Sequence, residues 1–150
     1  MCNNDNSREC GGGCIAEILE VINILQNNAE CAETCLETCD RGFLGCGTTS
    51  LGCNTRPIML YTNCGNGTPW SMPTAKTTAN CEGQGITGTC SDVFRIEKID
   101  GCCATFRVLA PNPEISEGVV PYVSTNSFFT MNLNCCCCIR CLQDTFVECI

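Results

Sequence analysis

A chain of 150 residues, 44% of them hydrophobic, can bury a core without covalent help, yet 19 of its residues are cysteine and none is histidine. The formal net charge is −8, and no basic patch interrupts the acidity, which argues against nucleic acid and anionic membrane surfaces as partners. Lack of histidine removes the commonest general base and the commonest nitrogen ligand for metals.

Nineteen thiols cannot all pair within one chain, so at least one stays reduced, binds something or pairs with another molecule. The opening residues Met1 to Cys10 are polar and acidic, without the apolar stretch of a secretory signal, and no run approaches a membrane span. Synthesis in a reducing cytosol, with oxidation later and elsewhere, is the expectation.

In chain order, residues 1–13 read as a flexible arm carrying Cys2 and Cys10 and ending in three glycines. A domain is expected over 14–143, helical over 14–40 and β-sandwich from about 55, followed by a tail over 144–150 that carries Cys149. Ile15, Ile18, Leu19, Ile22 and Leu25 recur at helical spacing and predict an amphipathic helix over 14–27. Cys31, Cys35 and Cys39 fall at i, i+4 and i+8, one face of a second helical stretch. From Gly42 the texture turns to Gly, Thr, Asn and Pro, and strands are expected over 57–62 and near Trp70.

The strongest local signal is a hairpin over 93–109. A three-residue loop, Ile99-Asp100-Gly101, sets Lys98 opposite Cys102 and gathers Phe94, Ile96, Ala104, Phe106 and Val108 on one face. It requires a left-handed Gly101. A short edge strand over 119–123 is expected next. One long strand from about Ser127 to Leu142 then places Cys135, Cys137 and Cys141 on the face of Phe129, Met131, Leu133 and Ile139, as buried intramolecular cysteines. Cys136 and Cys138 take the other face. The whole reads as mainly β: an antiparallel β-sandwich, jelly-roll-like, with an N-terminal helix and a cysteine-rich arm.

Cys135 to Cys138 with Cys141 contain overlapping Cys-x-x-Cys spacings, but an extended strand sends neighbouring thiols to opposite faces, away from a common metal. Carboxylates around Cys31, Cys35 and Cys39 argue against a reactive catalytic thiol there. Cys102 and Cys103 either bridge to each other or point apart. No nucleophile–base pair is apparent, so neither an enzyme nor a cofactor is expected.

Three blocks then carry a resemblance: Cys53-Asn-Thr-Arg-Pro-Ile-Met-Leu-Tyr61, the run Phe94 to Leu109, and Asn132-Leu-Asn-Cys-Cys-Cys-Cys-Ile-Arg-Cys-Leu-Gln-Asp144. In order and spacing, over roughly residues 14–144, they resemble the CotY/CotZ/ExsY family of spore coat and exosporium proteins. Family cysteines fall at Cys135, Cys137 and Cys141; Cys136 and Cys138 stand where that family usually has Phe and Ala. The resemblance implies a structural protein without enzyme activity. It implies self-assembly into a two-dimensional layer with hexagonal order, locked by intermolecular disulfides, with itself and other spore coat or exosporium proteins as partners. Cys2, Cys10 and Cys149, on chain ends that reach another subunit without distorting a core, are the first cross-link candidates, followed by Cys136, Cys138 and the line Cys31, Cys35 and Cys39. The alternatives are a metal-thiolate binding protein, which would retain stoichiometric metal under reducing conditions, and a thiol redox enzyme, which would show one cysteine alkylated far faster than the rest.

Overall fold

The computed structural model describes residues 13–27, 53–82, 88–114, 120–148 and 150, and the backbone of 31–32 and 44–45. In chain order the elements are α1 (Cys14–Asn27), β1 (Cys31–Ala32), β2 (Leu44–Gly45), β3 (Ile58–Thr62), β4 (Met72–Pro73), β5 (Cys90–Ser91), β6 (Phe94–Asp100), β7 (Cys103–Pro111), β8 (Tyr122–Asn132), a 3₁₀ turn (Leu133–Cys135) and β9 (Cys136–Cys141). An antiparallel sheet runs in the order β8-β7-β6-β3-β9. β4 pairs antiparallel with β5, and β1 pairs parallel with β2. The chain is mainly β with one N-terminal helix, as expected. Cys31 starts an extended pair instead of a helical line; Cys35 and Cys39 lie outside the described residues.

The helix forms where the apolar spacing predicts it. Ile15, Leu19 and Ile22 are buried, Ile18 and Leu25 are half-buried, and the last buried place on that face belongs to Gln26. Gly13 lends its carbonyl to the Glu17 N–H at 3.0 Å, and the Glu17 carboxylate suits the positive end of the helix. The helix closes over one core with Ile58 and Leu60 of β3, Phe94 and Ile96 of β6, Ala104, Phe106 and Val108 of β7, and Met131 and Leu133. Phe129 meets Phe94 edge-on (centroids 4.8 Å apart) and stacks on Phe106 (5.1 Å), the two favoured aromatic geometries.

The hairpin faces are as the pattern predicts, but its register is not. Gly101 does take a positive φ of 59°. Asp100 pairs with Cys103 and Ile96 with Phe106, so the loop is the two residues Gly101-Cys102, and a bulge falls between Ile96 and Lys98. Positive φ at the first loop residue alone is what a type II′ turn requires. The bulge has a clear cause. Ile99 lies out of phase with Phe94 and Ile96, and one extra residue turns it onto the core, where it packs.

β3 and β6 touch at a single pair, Ile58 with Phe94, and part on both sides of it. The next ladder pair on one side would be Arg56 with Ile96. There the buried Gln26 amide sits between them: its Nε2 donates to the Ile96 carbonyl at 2.8 Å and its Oε1 accepts the Arg56 N–H at 3.1 Å. On the other side the Leu60 carbonyl accepts from the Trp70 N–H at 2.7 Å. The two strands therefore diverge at this corner. Chain length requires the sheet to curl. Asn132 and Cys136 end strands at opposite edges, about 19 Å apart in a flat sheet. Four residue steps reach at most about 14 Å. The antiparallel, mainly-β expectation thus holds, as one curled five-stranded sheet instead of the two broad sheets of a jelly roll.

The long strand expected over 127–142 is in fact two. Asn132 caps the intervening 3₁₀ turn, its side chain accepting from the Asn134 N–H at 3.0 Å. Residues 144–147, expected as a tail, are packed into the fold. Thr55 and Thr145 exchange backbone hydrogen bonds at 3.0 and 2.9 Å, and the Asn54 side chain both donates to the Val147 carbonyl and accepts its N–H, each at 2.9 Å. Arg56 grips Asp144 through Nε and Nη2 at 2.8 and 3.1 Å, both side chains buried. Such a pair holds the segment in one position more than it adds net stability.

Replacing Leu19 with Ala is expected to cost about 2–5 kcal/mol in chemical denaturation, since the side chain is fully buried; a loss under about half a kcal/mol would refute the packing of this face. Gln26→Leu leaves a buried donor and acceptor without partners and is expected to cost about 2–4 kcal/mol. Unchanged stability in that variant would mean that Arg56 and Ile96 close the ladder directly.

Candidate functional site

The cysteines of β9 are the densest chemistry in the chain, and a bulge decides where each points. From Ile58–Cys141 to Tyr61–Cys138 the register is regular, but Thr62 pairs with Cys136, so Cys137 is the extra residue. Strict alternation would have buried Cys137 and exposed Cys136. The bulge reverses this: Cys136 is buried and joins the core, while Cys137 and Cys138 are exposed thiols. Two expectations are thereby corrected. Cys137 is not a buried cysteine, and Cys136 is poorly placed to reach another subunit. Cys135 and Cys141 are half-buried, and each is in a disulfide within the chain.

Burial pushes the Cys136 thiol above its ordinary range, because the thiolate would lose its hydration. Its S–H points at the Cys138 carbonyl, with Sγ 3.4 Å from the oxygen. Cys137 Sγ lies 3.5 Å from the Tyr61 carbonyl.

Further cysteines gather at the same end of the sheet. The Leu133 N–H donates to the Cys102 carbonyl at 2.7 Å, and the Asn63 N–H to that of Cys135 at 3.2 Å. The hairpin loop, the 3₁₀ turn and the end of β3 thus meet. Cys64 and Cys103 stand there as exposed thiols, whereas Cys102 is disulfide-bonded. Cys102 and Cys103 are therefore not bridged to each other.

Cys81 and Cys90 form a disulfide, Cα atoms 5.3 Å apart, that ties the loop after β4 to β5. Sequence reasoning missed it. The available signal was a pair of cysteines flanking a Gly- and Thr-rich turn beside a two-residue strand. Cys2, Cys10 and Cys149 lie outside the described residues. Among the described residues no three Cys, Asp or Glu side chains come close enough to hold a metal ion.

A second polar constellation lies across the corner. Arg95, nearly buried, donates to Thr55 Oγ1 at 2.9 Å and pairs with Glu97 at 2.9 Å, while Arg107 reaches the same carboxylate at 3.0 Å. Burial lowers the Arg95 pKa, against the opposing pull of Glu97. Each charge is met by a fixed partner, so the group secures residues 53–56 to β6 and offers no unmatched base or nucleophile.

Among the described residues the cysteines are thus split into sulfurs already bonded, thiols buried in the fold and thiols exposed at its surface. The family model described as Spore coat protein Z matches residues 2–121. The chain belongs to the spore coat protein Z family. The match takes in the first two blocks singled out in the sequence and stops before the third, Asn132 to Asp144. No curated protein and no solved structure matches the chain. Membership of the spore coat protein Z family gives the chain a structural role in the spore coat. No helix among the described residues is long and apolar enough to cross a membrane.

At pH 8, iodoacetamide is expected to modify Cys137 and Cys138 well before Cys136, and the Cys136 rate should rise through a midpoint above the ordinary thiol value of 9.0. Peptide mapping of partly alkylated protein checks this. Equal rates at all three positions would contradict the bulged register.

Proposed function

We propose that the chain is a structural subunit of a spore coat or exosporium layer, one that assembles into a two-dimensional lattice and is then locked by intermolecular disulfides. The observation that carries this reading is the partition of the cysteines. Cys81, Cys90, Cys102, Cys135 and Cys141 are consumed within the chain, while Cys14, Cys64, Cys103, Cys137 and Cys138 remain as exposed thiols. A fold stabilised only from within would have no use for outward sulfurs on strand and turn backbone. The partners are other copies of the chain and other layer proteins, and no catalysis is assigned.

Order of events matters in such an assembly. Weak, reversible contacts set the geometry first, and oxidation then makes it permanent. Random oxidation would freeze misplaced contacts, because disulfide formation demands Cα atoms within about 7 Å. The chain ends meet that demand most easily between subunits, so Cys2, Cys10 and Cys149 remain first choices, with Cys31, Cys35 and Cys39 behind them.

Replacing Cys2, Cys10 and Cys149 together by Ser is expected to leave the subunit folded and the layer visible by electron microscopy, but soluble in hot detergent without reductant. A triple variant that resists dissolution as well as the parent would move the cross-links to other cysteines. Parent protein that forms no layer, and no covalent multimer under oxidant, would refute the function itself.

A further inference from the structure

Cys81 and Cys90 share a disulfide but not an environment. Cys90 is fully buried in β5, paired with Pro73, and the Thr89 carbonyl before it accepts the Thr74 N–H at 2.9 Å. Cys81 is exposed. It lines a groove of about 730 Å³ between the loop after β4 and β8, together with Trp70, Met72, Lys76 and Phe128. Lys76 is the only charged side chain lining that groove, in a chain whose net charge is −8. Glu82 follows Cys81 in the chain but does not line the groove, and its N–H is held by the Thr89 hydroxyl at 2.8 Å.

We infer that Cys81 is a thiol-exchange site: a cysteine thiolate of a second copy enters this groove, attacks Cys81 Sγ and joins it in a disulfide between copies. This rests on the cross-linked layer proposed above and names the route to one of its links. Three features select the site. Exchange goes to the sulfur that a thiolate can reach, and burial of Cys90 leaves only Cys81 open to attack. The attacker is an anion, and Lys76 supplies a positive charge where it arrives, although the chain as a whole repels a second copy of itself. Finally, the chain that carries the acceptor also carries donors. Cys14, Cys64, Cys103, Cys137 and Cys138 are exposed thiols, and none of these five lines the groove. Each reaches a Cys81 most directly on another molecule.

The step consumes no oxidant. The bond from the incoming sulfur to Cys81 Sγ forms as the Cys81–Cys90 bond breaks, and Cys90 leaves as a thiolate. One S–S bond is lost within the chain and one is gained between chains. The proton given up by the attacking thiol is balanced by the proton Cys90 takes up. Cys90 stays fixed in β5 after release, so it can attack Cys81 again and expel a misplaced partner. The new link persists only where the neighbouring copy is also held by its other contacts, which is the reversibility an ordered layer requires before it is locked.

The test holds full-length protein, its disulfides intact, at pH 8 without oxygen or added oxidant, followed by a non-reducing gel and mapping of linked peptides. Links between Cys81 and a cysteine of another copy are expected, with one newly alkylatable Cys90 thiol for each. Cys81→Ser should lose these links and form covalent multimers only when oxidised glutathione is supplied. Lys76→Glu keeps the disulfide and should slow link formation about threefold or more at low salt, a difference that disappears in about 1 M salt, where charges are screened within about 3 Å. Links that run through Cys90, an unchanged rate in Lys76→Glu at low salt, or parent multimers that form only with oxidant would overturn this inference and leave the proposed function standing. A parallel sample with reduced glutathione separates the two sources of thiol: a glutathione adduct on Cys81 with no protein link there gives the site to small thiols and overturns the inference as well. No covalent multimer with or without oxidant would overturn both.

Discussion

One side-chain amide sets the shape of the molecule. Where β3 and β6 would continue their ladder from Ile58–Phe94 to Arg56–Ile96, Gln26 stands between the strands and makes both hydrogen bonds itself. A direct backbone bond would draw the strands parallel to each other. A relay through an amide holds them apart and satisfies both buried groups. The strands can then diverge on either side of Ile58–Phe94, and the sheet can curl. The helix that supplies Gln26 also supplies Ile15, Leu19 and Ile22, which pack into the core with Ile58, Leu60, Phe94 and Ile96. Polar satisfaction and apolar burial therefore come from one face of one helix, and neither would hold the corner without the other.

The corner has a consequence at the far end of β3. Folding brings the end of β3 to the tip of the β6–β7 hairpin, so a single 3₁₀ turn can link β8 to β9. That junction is where the cysteines concentrate. Crowding alone would scramble them, since any reduced thiol near a disulfide can exchange with it. The bulge in β9 reduces the risk. It withdraws Cys136 into the core, where burial keeps the thiol protonated, and turns Cys137 and Cys138 to solvent. A one-residue irregularity of backbone register thereby sorts four consecutive cysteines into bonded, buried and exposed.

The helix, the mainly-β class and the core face of the hairpin were legible because each rests on hydrophobic periodicity, which burial enforces directly. Each misread strand register lies where a local irregularity resets that period. The bulge at Glu97 shifted the hairpin register, the bulge at Cys137 exchanged the fates of Cys136 and Cys137, and the 3₁₀ turn cut one long alternating run into two strands at opposite edges. Alternation carries no mark of such insertions, except where an apolar residue such as Ile99 sits out of phase. Gln26 was invisible for another reason: its role depends on two backbone groups that lie 30 and 70 residues away. Asp144 and Val147 resemble a tail for the same reason, since their partners Arg56 and Asn54 are far upstream.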